Sequence, residues 1–141
     1  LRGNFFGKSG VTGRQSFSDW VSGLRHQTET VRLYRNVRFS PLSIQTLVDL
    51  IYECAAKKLY GTYNVGAATS LSKAEFVLKF SEMISAPLKK YTLVDLDPKS
   101  DGCPRPLDMS LNSTRFAEAS GLLLPSLEKE MLMAANDYIN E

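Results

Sequence analysis

Apolar positions along this chain switch between a period near 3.6 and a period of two, and the switches divide it into elements. Ile44, Leu47, Val48, Ile51 and Ala55 follow the i, i+3, i+4, i+7 spacing of a helix with one buried face. Ser43 stands where that helix takes its N-cap. Ser72-Lys73-Ala74-Glu75 is a capping box, in which each side chain satisfies the other residue's backbone amide, and it opens a helix with Phe76, Phe80 and Ile84 on one side. Ser16-Phe17-Ser18-Asp19 is a similar start, with Asp in the Glu role, for a helix through about Leu24. Two helices close the chain. One runs over about 113–119 and is stopped by Gly121. The other runs from Ser126 to about Tyr138, with Leu127, Met131, Ala134 and Tyr138 along one face.

Between the helices the pattern turns to strands. Val31-Arg32-Leu33-Tyr34-Arg35 alternates apolar and polar residues, as a half-buried strand does. The opening residues read as a strand entering a glycine turn at Gly7, Gly61 to Gly66 as a short strand between glycines, and 91–96 as another. The stretch 97–106 holds three prolines and no periodicity, which predicts a loop. Elements alternating in type predict an α/β fold with a few short strands and about five helices, one unit over residues 1–141. Leu1 replaces an initiator Met and falls inside a strand, so the sequence is expected to be a piece of a longer polypeptide.

Composition narrows the chemistry. A net charge of +2 with scattered Lys and Arg gives no concentrated basic face, which argues against nucleic acid. No apolar run approaches the ~20 residues of a membrane span. Cys54 and Cys103 are too few for a disulfide framework and lack metal-ligand spacing, so a reducing, cytoplasmic setting is expected, with Cys54 as a small packing residue. The single histidine, His26, reads as a helix-end residue favoured by the dipole. No phosphate-binding motif of the G-x-x-x-x-G-K-[ST] or G-x-G-x-x-G type is present, and neither a catalytic group nor a metal site is expected.

Three polar positions lie at element ends, where α/β proteins place ligands: Asn4, Arg38 and Arg105. Arg105 sits between Pro104 and Pro106, so gripping an anion would cost it little entropy, and a guanidinium matches phosphate oxygens as a fork. On spacing alone the preferred reading of Arg38 and Arg105 is as solvated or locally paired residues, with a ligand role second.

Several segments, in one order, resemble extended short-chain dehydrogenases that act on sugar nucleotides. Leu1-Arg2-x-Asn4-x-Phe6-Gly7 resembles the L-R-x-x-N-x-Y-G segment of that family, and Arg38-Phe39-Ser40-Pro41-Leu42-Ser43 a segment of its dTDP-4-dehydrorhamnose reductases. Gly61-Thr62-Tyr63-Asn64-Val65-Gly66 resembles the family's G-x-y-N-v-g strand, Leu71 to Phe76 its next helix start, and Arg105-Pro106-Leu107-Asp108 its R-P-x-[DN] segment. The resemblance implies the C-terminal, sugar-nucleotide-binding portion of an NAD(P)-binding Rossmann-type enzyme. The family's glycine-rich cofactor loop and its Tyr-x-x-x-Lys catalytic pair lie upstream of the segment matching Leu1. NAD or NADP is therefore expected in the intact protein and not on this chain alone. Carried over position by position, Asn4 would contact the sugar or diphosphate, Phe5 would lie near the hexose, and Arg38 and Arg105 would hold the diphosphate. Phe17 and Trp20 would face the same region, with core packing the preferred reading for both. Phe5 stands where the reductases carry Trp. Asn4 suits the epimerase and dehydratase branch, while Ser40-Pro41 suits the reductases.

The implied parent function is reduction of a nucleoside-diphosphate 4-keto-deoxysugar for polysaccharide biosynthesis. An epimerase or dehydratase on a similar substrate, or a non-catalytic relative, remains open beside it. An exposed first strand is expected to make the isolated chain a homo-oligomer.

Overall fold

The computed structural model describes residues 1–99 and 104–139. In chain order the elements are β1 (Arg2–Gly3), β2 (Phe5–Phe6), α1 (Phe17–Gly23), a 3₁₀ turn (Leu24–His26), β3 (Val31–Tyr34), β4 (Arg38–Phe39) and β5 (Leu42–Ser43). There follow α2 (Ile44–Ala56), β6 (Asn64–Val65), β7 (Leu71–Ser72), α3 (Lys73–Met83), β8 (Tyr91–Val94), β9 (Asp108–Met109), α4 (Thr114–Ser120) and α5 (Leu127–Ile139). The five helices among the described residues begin and end within about two residues of the positions their caps and apolar stripes predict.

Strand pairing is long-range. β1 runs parallel to β6, β2 to β5, and β3 to β8, while β4 lies between an antiparallel β7 and a parallel β9. Parallel partners need a crossover, and helices supply it. Gly66 lets two of these strands approach. A Cβ there would stand 2.7 Å from the Ser40 hydroxyl and 2.8 Å from the Ser40 carbonyl oxygen. Gly121 ends α4 at φ 70°, in the left-handed region that favours glycine.

The core gathers between α3, α5 and the short strands. Phe76 and Phe80 are fully buried, and Phe6 meets Phe76 edge-on with ring centroids 5.0 Å apart. Leu127, Met131, Ala134 and Tyr138 are buried along one face of α5, as their spacing predicts.

Two expectations need correction. The predicted buried stripe of α2 is largely open: Val48 is 42% exposed, Ile51 53%, and Ala55 is exposed too, while Leu50 is the buried residue of that helix. Periodicity identified the apolar face, but no described element covers most of it. The opening strand is two two-residue strands interrupted at Asn4, not one continuous element. Cys54 is partly buried against the core, as a packing residue should be. Cys103 and part of the predicted 97–106 loop lie outside the described residues.

Candidate functional site

Two adjoining cavities, of about 520 and 290 Å³, open beside α1 and the start of α3. Phe17, Lys73 and Met109 line both, so the two form one bent cleft. The capping box of α1 fixes one wall: the Ser16 hydroxyl accepts from the Asp19 amide at 3.0 Å, and Phe17 and Trp20 stack 5.6 Å apart on the turn it starts. The capping box of α3 fixes the joint. The Glu75 amide donates to the Ser72 hydroxyl (3.1 Å), and the Ser72 amide to the Glu75 carboxylate (2.7 Å). Lys73, the first residue of α3, also donates its backbone N–H to the Val37 carbonyl at 2.8 Å.

That geometry sends the Lys73 side chain into the cleft. Its ammonium stands 3.6 Å from the Phe39 ring centre and 4.2 Å from that of Phe17. It has no hydrogen bond or ion pair among the described residues. Burial lowers its pKa to about 8. Arg32 and Arg105 join it on the larger cavity, whose described lining contains no carboxylate. Such a wall of rings and cations is chemically suited to a ligand with an apolar or planar part and a negative group. The larger cavity alone falls in the roughly 300–1,000 Å³ range of small-molecule sites.

The residues expected from sequence divide. Asn4 and Phe5 line the smaller cavity and Arg105 the larger. The Asn4 amide donates to the Met109 carbonyl at 3.2 Å, which ties the gap between β1 and β2 to β9. Phe5 is 61% exposed. Phe17 and Trp20 are partly buried and line the cleft, so they serve packing and wall at once.

Arg38 is placed apart. Along a strand successive side chains take opposite faces, and the face that gives Phe39 and Met109 to the cleft leaves Arg38 and Asp108 on the other side. Its guanidinium donates to the Ser70 carbonyl (2.9 Å) and hydroxyl (3.0 Å) and lies 3.9 Å from Glu75. Sequence reasoning singled out neither Lys73 nor Arg32. The signal for Lys73 was its position at N1 of a capping box. For Arg32 it was the strand alternation that turned it outward.

The glycine spacing G-x-x-G-x-x-G does occur once, at Gly7, Gly10 and Gly13 between β2 and α1. A dinucleotide cradle needs its amides free for pyrophosphate at a helix N-terminus. Here the Ser9 and Ser16 amides donate to Asp19 Oδ2 at 3.1 and 2.9 Å, and the Gly7 amide donates to the Ser18 hydroxyl. Burial works to raise the Asp19 carboxyl, but these amides and the Tyr138 hydroxyl hold it below the ordinary value. Three amides around this loop are thus taken by the protein's own carboxylate and hydroxyl, an arrangement that does not fit a dinucleotide. His26 is exposed at the end of the 3₁₀ turn, and no metal-holding group of His, Cys, Asp or Glu occurs among the described residues. No helix among them is long and apolar enough to cross a membrane.

No protein-family model and no curated protein matches the sequence. Solved structures do. A dTDP-4-dehydrorhamnose reductase from Bacillus anthracis, in complex with NADP, matches with a TM-score of 0.81 at 21% identity, over 94% of this chain and 46% of that one. A dTDP-4-dehydrorhamnose reductase from Clostridium acetobutylicum matches at 0.77 and 13% identity, over 89% of this chain and 45% of that one. The UDP-glucose 4-epimerase of Bifidobacterium longum, in complex with NAD+ and UDP, matches at 0.68 and 9% identity, over 99% and 46%. The chain spans about half the length of these structures. At such identities the likeness is one of fold: the mixed α/β fold read from the sequence is the fold that part of these reductases and this epimerase share.

Proposed function

We propose that residues 1–141 are the C-terminal, substrate-binding unit of an NAD(P)-dependent reductase acting on a nucleoside-diphosphate 4-keto-deoxysugar. The observation that carries this reading is the bent cleft, with stacked aromatic rings and three cations on its larger cavity and no carboxylate on the described lining. The fold shared with two dTDP-4-dehydrorhamnose reductases supports the same substrate class. In this reading Arg105 forks the diphosphate, Asn4 meets the sugar hydroxyls, and the exposed ring of Phe5 covers the hexose. Arg38, expected beside Arg105, is bonded to Ser70 on the opposite face of β4 and is left out of this phosphate site. NAD(P) belongs to a separate glycine-rich domain of the same enzyme, where it supplies the hydride. A cytoplasmic setting and self-association are part of the same proposal.

An epimerase or dehydratase is the second reading, favoured by Asn4 on the wall of the smaller cavity. Isothermal titration of the chain with thymidine and uridine diphosphates tests the shared part of both readings. Binding is expected, and Arg105→Ala is expected to weaken it at least tenfold, about 1.4 kcal/mol. Absence of binding by either nucleotide would overturn the substrate-unit reading and leave an interaction module of the same fold.

A further inference from the structure

The geometry points to Lys73 as the cation that grips the phosphate of a nucleotide lying across both cavities, and so sets which end of that ligand enters which cavity. The inference rests on the reading above and adds to it a residue and an orientation.

Three observations carry it. Lys73 lines both cavities where they meet, while the two expected arginines stand elsewhere: Arg105 on the larger cavity alone, Arg38 on the opposite face of its strand. The ammonium is held between the rings of Phe17 and Phe39, at 4.2 and 3.6 Å from their centres, so its position is set before any ligand arrives. A ring face neutralises only part of a cation and accepts no conventional hydrogen bond. The ammonium's three donors have no oxygen partner among the described residues, and because the group is not sealed from solvent they open onto the cleft, where an incoming oxygen can accept from them. Helix α3 adds rigidity, because its capping box and the Lys73 amide bond to Val37 fix the backbone from which the side chain reaches.

The walls on either side differ, and that difference gives the orientation. The larger cavity has the stacked pair Phe17 and Trp20, which suits a planar base and its ribose, and Arg105 meets the diphosphate from that side. The smaller has Asn4 and Phe5, an amide and an exposed ring, which suit a hydroxylated hexose. A diphosphate joins those two parts in a nucleotide sugar, and Lys73 stands at the joint. A compact, strongly hydrated point charge on a flexible stem suits a phosphate approached from one side.

The test compares thymidine diphosphate with thymidine on the same chain. Lys73→Met is expected to weaken thymidine diphosphate at least tenfold while leaving thymidine unchanged, and Lys73→Arg to recover most of the loss. Thermal melting of each variant checks folding. If Lys73→Met binds the diphosphate as the wild type does, this inference falls and the substrate-unit reading stands. If it loses both ligands equally, Lys73 is only a wall of the cavity and the inference also falls. If the wild type binds neither ligand, both readings fall. A second measurement needs no variant: amine acylation of the wild type, mapped by peptide mass. Thymidine diphosphate should slow modification of Lys73 but not of exposed Lys89, and thymidine should slow neither. Unchanged acylation of Lys73 under saturating diphosphate would overturn the assignment.

Discussion

Helices α2 and α3 both begin at a serine cap and both carry an apolar stripe, yet one stripe is core and the other is surface. Phe76, Phe80 and Ile84 of α3 are buried against Phe6, Phe39 and α5, with the Phe80 and Tyr138 rings 5.5 Å apart. On α2 the stripe of Ile44, Leu47, Val48, Ile51 and Ala55 is partly or fully exposed, and the helix is anchored instead by Leu50. It is anchored also by Glu130, a fully buried carboxylate of α5 that accepts from the Ser43 amide and, at 2.8 Å, from the Thr46 hydroxyl. An apolar stripe therefore states which face could be buried, and only the rest of the structure states whether it is.

The largest effect should come from cutting the packed stripe. Phe80→Ala leaves a cavity between α3 and α5 and should cost about 3–5 kcal/mol in urea unfolding. Ile51→Ala, the same kind of truncation on α2, should cost less than about 0.5 kcal/mol. Equal losses would mean that α2 is covered after all, for instance by a second copy of the chain.

Glu130→Ala comes next. It strands the Ser43 amide at the N-terminus of α2 and removes a charge-assisted bond, which should cost about 2–3 kcal/mol. Hydrogen exchange should place the loss in the first turn of α2, not in α3. Protection lost evenly across the chain would show that the anchor is not local.

How much of this was legible follows the same division. The caps at Ser16, Ser43 and Ser72, the stop at Gly121 and the stripe of α5 are local in sequence, so the helices could be read from it. The two-residue strands β4, β5, β7 and β9 could not. Each exists only because a distant segment pairs with it, as Arg38 does with Ser72 and Asp108. The cleft divides likewise. Asn4 and Arg105, legible at element ends, and Phe5, implied by the resemblance alone, line it, whereas the face that Arg38 takes on β4 depends on pairing that its spacing does not show. Lys73 was visible only as part of a cap, because the rings that hold its ammonium come from α1 and β4.

The exposed stripe supplies a smaller effect on stability but a clear one on association. Replacing Val48 and Ile51 together by Lys should shift the unfolding free energy by no more than about 0.5 kcal/mol. The same change should abolish any concentration-dependent sedimentation of the chain, since an apolar patch of this kind is what drives association. Sedimentation that is unchanged by the two substitutions would put the association elsewhere.

The smallest effect concerns Lys73, a cation held between two rings of the cleft. Lys73 has a folded pKa of about 8 against an ordinary value of 10.5, and burial is the cause. Between those two values the unfolded chain keeps a proton that the folded chain has released, so the unfolded state binds more protons and stability rises with pH. Below about 8 both states are charged and this contribution is flat. Other groups titrate equally in wild type and in Lys73→Met, so the difference between their melting temperatures isolates it. The wild type should gain on the variant as pH rises from about 8 to 10.5, and the gain should be modest because part of the side chain still meets water. A saturating nucleotide diphosphate should delay that gain to higher pH, since an anion beside the ammonium favours its charged form. If the two curves stay parallel throughout, the rings of Phe17 and Phe39 compensate the lost hydration in full, and the cation rests as easily in the cleft as in water.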